Sequence, residues 1–364
     1  MPRMTVRNKL FDGFGLVIPR CVSSRPVDDD LRPVSYTPRT SCSNSQSPRE
    51  VCFVEYRRLG RSGLEVSVVG LGTNNFGGRI DYDATKAVID KSIEVGITLF
   101  DTADVYGGRG KSEELIGRAL KGRRHEVVLA TKFASPMGEG PMTSGTSRKY
   151  ILQAVEDSLR RLETDYIDLY QVHRPDPMTP VEETMRALDD LVASGKVRYL
   201  GNSNYAGWQI AEAHYVAQAN HWAPFISAQN EYSLLNRRIE TEIAPAAERF
   251  GQGMLPFFPL ASGMLTGKYK RDSRPEGARL SSGPAADRTL TDRNFDTVEK
   301  LKEFAQARGH TLLELAFSWL ASQSFVGSVI AGATKPEQVE ANAEAAGWHL
   351  DAEEMAEVDQ ITRR

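Results

Sequence analysis

The chain reads FDTADVYG at residues 100–107, LATK at 129–132, LYQVH at 169–173 and GNSN at 201–204. Each of these stretches begins in an apolar, strand-like run and ends in a polar residue. Parallel barrels show this pattern because their active groups lie at the C-terminal ends of successive strands. The four stretches therefore predict a barrel whose polar strand ends share one rim.

Apolar, β-rich runs of this kind recur along the chain. There are eight, at residues 66–70, 97–100, 126–130, 165–172, 197–201, 225–229, 254–258 and 327–330. Amphipathic helical patterns lie between them, with clear apolar stripes at 148–162 and 181–192. Strands that alternate with helices predict parallel pairing, and eight such units predict a closed (β/α)8 TIM barrel of the α/β class.

Two smaller elements are predicted at the ends of this barrel. Alternating residues on both sides of Gly60-Arg61-Ser62-Gly63 predict a β-hairpin, which we expect to cap the N-terminal end of the barrel. Near the C-terminus, Asp351 and Glu354 have the spacing of a capping box and predict a final helix.

The last crossover is unusually long, from about residue 259 to 326. It opens with a Gly, Ser, Pro and Arg-rich stretch at 268–293 and continues with helical patterns at 294–308 and 311–323. Long loops at the active rim of a barrel usually serve as lids or substrate walls, so we expect this stretch to border the site.

The composition restricts the class of protein. Lys and Arg number 45 against 48 Asp and Glu, a formal net charge of −3 without a basic face, so nucleic acid is not a predicted partner. No apolar run approaches the roughly 20 residues of a membrane span. The three cysteines lie within the first 52 residues, so the remainder must fold without disulfides or thiolate metal ligands. We expect a cytoplasmic, metal-free globular protein; its oligomeric state stays open.

Residues 1–54 differ from the rest and are predicted to be a disordered N-terminal extension. The stretch 22–50 is dense in Ser, Pro and Arg and has no sustained helix or strand period. A secretory signal is not indicated, because no continuous apolar segment follows the first positive charges. A transit peptide and a start codon assigned too far upstream are the open alternatives. The folded domain is expected over 55–364.

The polar strand ends form a candidate proton-transfer group. Lys132 closes an apolar run, and a buried lysine needs a counter-charge, for which Asp101 on the neighbouring strand is the natural candidate. Tyr106 is expected beside that ammonium, which should lower the phenol pKa from its usual value of about 10. His173 can donate to a carbonyl oxygen and fix its direction. Such a group can protonate a carbonyl while another agent supplies hydride.

Each of these residues also has a purely structural interpretation. Asp101 and Lys132 can be a simple buried ion pair, Tyr106 a turn aromatic, and His173 a satisfied histidine at a strand end. Their occurrence together on three consecutive strand ends favours catalysis.

Two apparent phosphate-binding motifs have the wrong spacing. GGRGKS at 107–112 lacks the first glycine of a P-loop, since Val105 stands there. GLGTNNFGG at 70–78 lacks the third glycine of the dinucleotide fingerprint, since Asn75 stands there. A nicotinamide cofactor is therefore not expected to bind in the Rossmann manner.

From Tyr56 to Arg364 the chain resembles the aldo-keto reductases, of the bacterial-type branch that is also similar to potassium-channel β subunits. The matching segments occur in family order along the whole barrel: GLGTNNFGG, FDTADVYG, LATKF, LYQVHRPD, GNSNY, QNEYSLLNR, PLASGMLTGKY and GATKPEQVEAN. The resemblance implies NADPH-dependent reduction of a small aldehyde or ketone, or the reverse oxidation of an alcohol. The implied tetrad is Asp101, Tyr106, Lys132 and His173, with Tyr106 as general acid. A nicotinamide-binding redox sensor or regulatory subunit is the alternative.

The resemblance also implies a cofactor site along the rim. Ser203, Asn204 and Gln229 would hold the nicotinamide carboxamide, and Phe257 would stack on its ring. The other implied cofactor contacts are Gly72, Thr73, Asn74, Pro259, Leu260, Ala261, Gly263, Lys268, Gly332, Thr334, Lys335, Gln338 and Asn342. Gln338 stands where many relatives carry an arginine for the 2′-phosphate, so NADH is not excluded as the cofactor.

Overall fold

The computed structural model describes residues 54–275 and 278–363. The predicted extension lies almost wholly outside these residues, as do all three cysteines. Within them a two-stranded antiparallel sheet precedes an eight-stranded parallel sheet. The strands are β1 (Tyr56–Arg58), β2 (Glu65–Ser67), β3 (Val69–Gly72), β4 (Leu99–Asp101), β5 (Val128–Phe133), β6 (Ile167–Val172), β7 (Val197–Ser203), β8 (Phe225–Gln229), β9 (Gly253–Met254) and β10 (Val329–Gly332).

The parallel sheet runs in the order β10, β3, β4, β5, β6, β7, β8, β9 and closes on itself. Main-chain hydrogen bonds join its two edges: Met254 N donates to Phe325 O at 2.7 Å, Gly327 N to Met254 O at 2.8 Å, and Ile330 N to Pro256 O at 3.0 Å. The predicted (β/α)8 barrel is therefore confirmed.

Helices connect consecutive strands and cover the outside of the barrel. They are α1 (Tyr82–Glu94), α2 (Tyr106–Arg109), α3 (Lys111–Ala119), α4 (Arg148–Arg161), α5 (Val181–Ala193), α6 (Gly207–Asn220), α7 (Ile243–Arg249), α8 (Pro284–Thr289), α9 (Asp292–Ala307), α10 (Leu312–Ala321), α11 (Pro336–Glu344) and α12 (Ala352–Thr362). Short 3-10 helices occupy Arg124–Glu126, Arg238–Thr241 and Ala261–Thr266. In the two ranges that the structure describes, none of the helices has the length and apolar composition needed to cross a bilayer.

Two predicted strand ranges need correction. The run 66–70 is divided, because the Ser67 side chain donates to Val69 O at 2.6 Å and the chain passes there from the hairpin to the barrel. The run 254–258 contributes only Met254 to β9, because Pro256 has no N–H and Phe258 is left-handed, with φ of 52°. Both causes depend on local geometry that an apolar run does not reveal.

The hairpin closes the N-terminal end of the barrel, as predicted. Leu59 is fully buried and packs with Val66, Leu99, Leu169 and Leu255 at the bottom of the barrel interior. Next to it, Gly60 has a φ of 58°, and a Cβ there would lie 2.3 Å from the main-chain oxygen of Gly251. Only glycine allows this close approach.

We expect Leu59→Ala to lower the free energy of unfolding by about 2–5 kcal/mol, because the barrel bottom cannot collapse around the missing side chain. Denaturant unfolding measures the effect. Leu152→Ala, at a position 36% exposed on α4, is the control and should change stability by only about 0.5 kcal/mol. An equal effect of the two substitutions would contradict the role of Leu59.

The helical predictions hold where capping signals are local. The final helix begins with the predicted capping box, in which Glu354 N donates to Asp351 Oδ1 at 2.9 Å and Asp351 N donates to Glu354 Oε2 at 3.0 Å. Within the stretch 268–293, however, the structure contains α8, which no periodic pattern indicates. Gly283, whose φ is 88°, is its N-cap, and Pro284 stands at its first position.

Candidate active site

A buried ion pair lies at the C-terminal rim, where β4 and β5 end side by side. Lys132 Nζ donates to Asp101 Oδ2 at 2.6 Å and to the carbonyl of Thr102 at 2.9 Å. The two side chains are 0% and 4% exposed. The pair predicted from the strand ends is therefore present, and its depth keeps water from screening it.

Tyr106 lies directly above this pair. Its ring centroid is 5.2 Å from Lys132 Nζ. The turn that positions the ring needs Gly107, whose φ is 67° and whose Cβ would lie 2.5 Å from the carbonyl oxygen of Phe76. The glycines after Tyr106 thus serve to bend the chain and present the phenol to the rim.

The pKa of Tyr106 is raised, not lowered. Burial is the largest cause; the Lys132 ammonium lowers the pKa, as predicted from the sequence, but nearby Asp101 raises it again. The predicted net direction was therefore wrong, because the cost of burying a phenolate exceeds the help that one paired ammonium provides. Tyr106 consequently carries its proton at neutral pH.

Lys132 keeps its charge in the same surroundings. Burial lowers its pKa, but Asp101 and Tyr106 outweigh burial and raise the pKa above the usual value. The site therefore combines a neutral phenol with a permanent ammonium.

His173 follows β6 and lies beside the phenol. Its ring is edge-on to that of Tyr106, with centroids 5.8 Å apart and an interplanar angle of 83°. Burial, then the charges of Lys132 and Arg174, lower the pKa of His173 to about 3. Ser135 Oγ lies 3.2 Å from Nδ1. The imidazole is neutral at physiological pH, and in the tautomer in which Nδ1 accepts from Ser135, Nε2–H is a hydrogen-bond donor.

Two glutamines complete the surroundings of Asp101. The side-chain amides of Gln229 and Gln171 donate to Asp101 Oδ1 at 2.9 and 3.1 Å. Gln171 was not predicted to be a site residue. Its only sequence signal is a polar residue within the apolar run of β6.

The rim opens into a cavity of about 1000 Å³. Asp101, Tyr106 and His173 lie on its wall, whereas Lys132 lies beneath it. Of the predicted cofactor residues, Ala261 is not on the wall, and all the others are: Gly72, Thr73, Asn74, Ser203, Asn204, Gln229, Phe257, Pro259, Leu260, Gly263, Lys268, Gly332, Thr334, Lys335, Gln338 and Asn342.

Two wall residues that sequence reasoning missed are the cations Arg79 and Arg279. Arg279 Nη2 donates to Asn75 Oδ1 at 3.2 Å, and its guanidinium lies 5.4 Å from the ring centroid of Phe258. Burial, followed by the charges of Arg79 and Arg279, lowers the pKa of Lys268, so the three cations lie close enough to repel one another. Only the folded chain brings these three distant residues together.

The fold and the site define an oxidoreductase of the (β/α)8 barrel class. The profile of the Aldo/keto reductase family matches residues 68–363, and the chain belongs to that family. The family acts on small carbonyl substrates with nicotinamide cofactors.

Several characterised or named proteins are similar over most of the barrel. A probable voltage-gated potassium channel subunit beta of Oryza sativa subsp. japonica is 39% identical over 300 residues, covering 80% of this chain and 91% of that protein. The L-glyceraldehyde 3-phosphate reductase of Escherichia coli (strain K12) is 36% identical, covering 86% and 94%. The aldo-keto reductase YhdN of Bacillus subtilis (strain 168) is 36% identical, covering 85% and 93%.

Proposed function

We propose that this protein reduces an aldehyde or ketone with hydride from NADPH, and catalyses the reverse alcohol oxidation, with Tyr106 as the proton donor. The observation that carries the proposal is the position of Tyr106, whose ring centroid lies 5.2 Å from Lys132 Nζ in the buried Lys132–Asp101 pair. A general acid must hold its proton before the reaction and tolerate its loss during it. Tyr106 meets the first condition through burial and the second through the neighbouring ammonium.

The roles of the tetrad follow from these charges. As hydride reaches the carbonyl carbon, negative charge develops on the oxygen, and Tyr106 transfers its phenolic proton to that oxygen. Lys132 stabilises the resulting phenolate, and Asp101 keeps Lys132 in place and charged. Neutral His173 donates Nε2–H to the same oxygen and directs it toward the phenol.

Features of the cavity wall support binding of a nicotinamide dinucleotide, which supplies the hydride when bound. Gly263 has a φ of 93°, and a Cβ there would lie 2.8 Å from Lys268 Cε, so the chain passes closely around this cation. Asn204, Phe258 and Ser262 also have left-handed backbone, with φ of 60°, 52° and 58°. Strain of this kind collects where a fold is shaped for a ligand.

Each end of the dinucleotide has suitable partners. We assign the nicotinamide carboxamide to Ser203, Asn204 and the side-chain oxygen of Gln229. The side-chain nitrogen of Gln229 already donates to Asp101. Phe257 provides an apolar face for the ring. Gln338 Oε1 accepts from Thr334 N at 2.8 Å, so this side chain orders the loop before α11. Arg79, Lys268, Arg279 and Lys335 place positive charge on the cavity wall, and this charge favours NADPH, with its additional phosphate, over NADH.

The cofactor assignment is tested by fluorescence titration of NADPH and NADH. We expect tighter NADPH binding, and we expect Lys268→Gln to weaken it about tenfold, because a charge-assisted hydrogen bond is lost. Lys121→Gln, at an exposed position beyond α3, is the matched control and should bind as the wild type does. If neither nucleotide binds the unmodified protein, the assignment is withdrawn.

A regulatory redox sensor is the second candidate, because relatives named as potassium channel subunits beta align with this chain along most of its length. An enzyme consumes NADPH steadily with simple aldehydes, whereas a sensor holds its cofactor through slow single cycles. Multiple-turnover and single-turnover kinetics on one preparation separate the two. Cytoplasmic localisation stays a prediction.

A further inference from the structure

A second buried acid lies next to the catalytic group. Asp104 stands between Asp101 and Tyr106 in the segment FDTADVYG and is 1% exposed. Its main-chain N–H donates to the carbonyl of Lys132 at 3.1 Å, so its backbone is tied to the lysine itself. Within residues 54–275 and 278–363, neither carboxyl oxygen has a hydrogen-bond partner. A buried acid without a partner destabilises a fold and therefore calls for a functional explanation.

Charged and titratable groups face Asp104 from every neighbouring element. They are Tyr106 on α2, Glu113 on α3, Lys132 on β5, Tyr150 and Arg161 on α4, and Tyr170 on β6. The two cations are already paired, since Arg161 Nε donates to Glu113 Oε2 at 2.7 Å and Lys132 donates to Asp101 at 2.6 Å. If Asp104 ionised, its negative charge would therefore have no cation of its own among these neighbours.

These surroundings keep Asp104 protonated at neutral pH. Burial, and then the charge of Glu113, raise the pKa of Asp104 to about 8, against smaller lowering effects of Arg161, the Val105 amide and Lys132. The Val105 amide acts electrostatically, without the geometry of a hydrogen bond. The acid can therefore change its charge in the mildly alkaline range.

We propose that Asp104 is a positioning residue whose protonation state controls how strong an acid Tyr106 is. Neutral Asp104 leaves Lys132 to stabilise the developing Tyr106 phenolate. Ionised Asp104 adds a negative charge near the phenol, opposes Lys132 and disfavours transfer of the Tyr106 proton to the substrate. The inference rests on the proposed reduction. It implies that the rate of this reaction declines at alkaline pH because of a residue that does not touch the substrate.

The test is the pH profile of kcat for aldehyde reduction by Asp104→Asn, normalised to the neutral rate of each protein. Asparagine has the shape of the protonated acid but cannot ionise. We expect the wild-type rate to decline as pH passes about 8, and the variant to hold its rate through that range. Tyr170→Phe removes a neighbouring hydroxyl without changing charge and should decline as the wild type does. The same alkaline decline in Asp104→Asn would overturn the proposal.

Two readouts remain if the protein turns over no carbonyl, so failure of the proposed function stays distinguishable. Ultraviolet titration of each protein, minus that of the same protein carrying Tyr106→Phe, isolates the signal of the Tyr106 phenol. We expect the pKa of this phenol to be lower in Asp104→Asn than in the wild type. Between pH 3.8 and about 8, the folded state keeps the proton on Asp104 whereas the unfolded state has lost it. The Tm of the wild type should therefore fall, relative to the Tm of Asp104→Asn, as the pH rises through this range. Identical phenol titrations, or identical dependence of Tm on pH, would also overturn it.

Discussion

We expect Tyr106→Phe to lower kcat for carbonyl reduction by roughly two or more orders of magnitude and to leave NADPH affinity nearly unchanged. The substitution removes only the phenolic oxygen, so the ring still packs against His173 and fills the same space. The carbonyl oxygen then loses its proton donor, while the cofactor contacts stay intact. Steady-state kinetics and nucleotide titration measure the two quantities separately.

Tyr215→Phe is the matched control for this variant, because Tyr215 is 55% exposed on α6, away from the cavity wall. We expect it to keep the wild-type rate. Near-normal turnover in Tyr106→Phe would refute the role assigned to the phenol, whatever the rest of the site does.

We expect Lys132→Met to abolish measurable turnover for a different reason. The phenolate loses its neighbouring ammonium, so proton transfer from Tyr106 becomes unfavourable. The same change leaves Asp101 charged and buried, and among residues 54–275 and 278–363 its remaining side-chain donors are the amides of Gln171 and Gln229. Breaking a buried pair from one side costs about 3–5 kcal/mol, so we also expect a lower free energy of unfolding.

The double variant Asp101→Asn, Lys132→Met separates these two effects. It removes the buried carboxylate charge together with the ammonium, so stability should recover while activity stays absent. Denaturant unfolding and turnover assays on the single and double variants give the comparison. A wild-type pH–rate profile in Lys132→Met would contradict the electrostatic role of the lysine.

The sequence predicted the barrel because the information is local. Apolar runs that end in Asp101, Lys132 or His173 show both the strands and the end at which chemistry collects. The capping box at Asp351 determines the start of α12 in the same way. The ion pair was predictable because a lysine at the end of an apolar run needs a counter-charge, and the neighbouring strand offers one.

What remained hidden depends on residues far apart in the chain. Gln171 shows its role only where its amide meets Asp101 across the barrel. Arg79 and Arg279 come together with Lys268 only across the cavity. In the sequence, Asp104 has the pattern of an ordinary turn residue. Its unusual surroundings arise only because the fold packs α3, α4 and β6 against it.

The amino-acid sequence alone thus determined the alternation of the barrel strands with helices and which polar side chains stand at one rim, because backbone periodicity and capping act over a few residues. The sign of the Tyr106 pKa shift was decided only by the tertiary structure. That sign is a balance between one ammonium, which a motif can reveal, and the loss of hydration caused by all the atoms packed around the phenol. Burial is a property of the whole fold, so no short segment of sequence contains it.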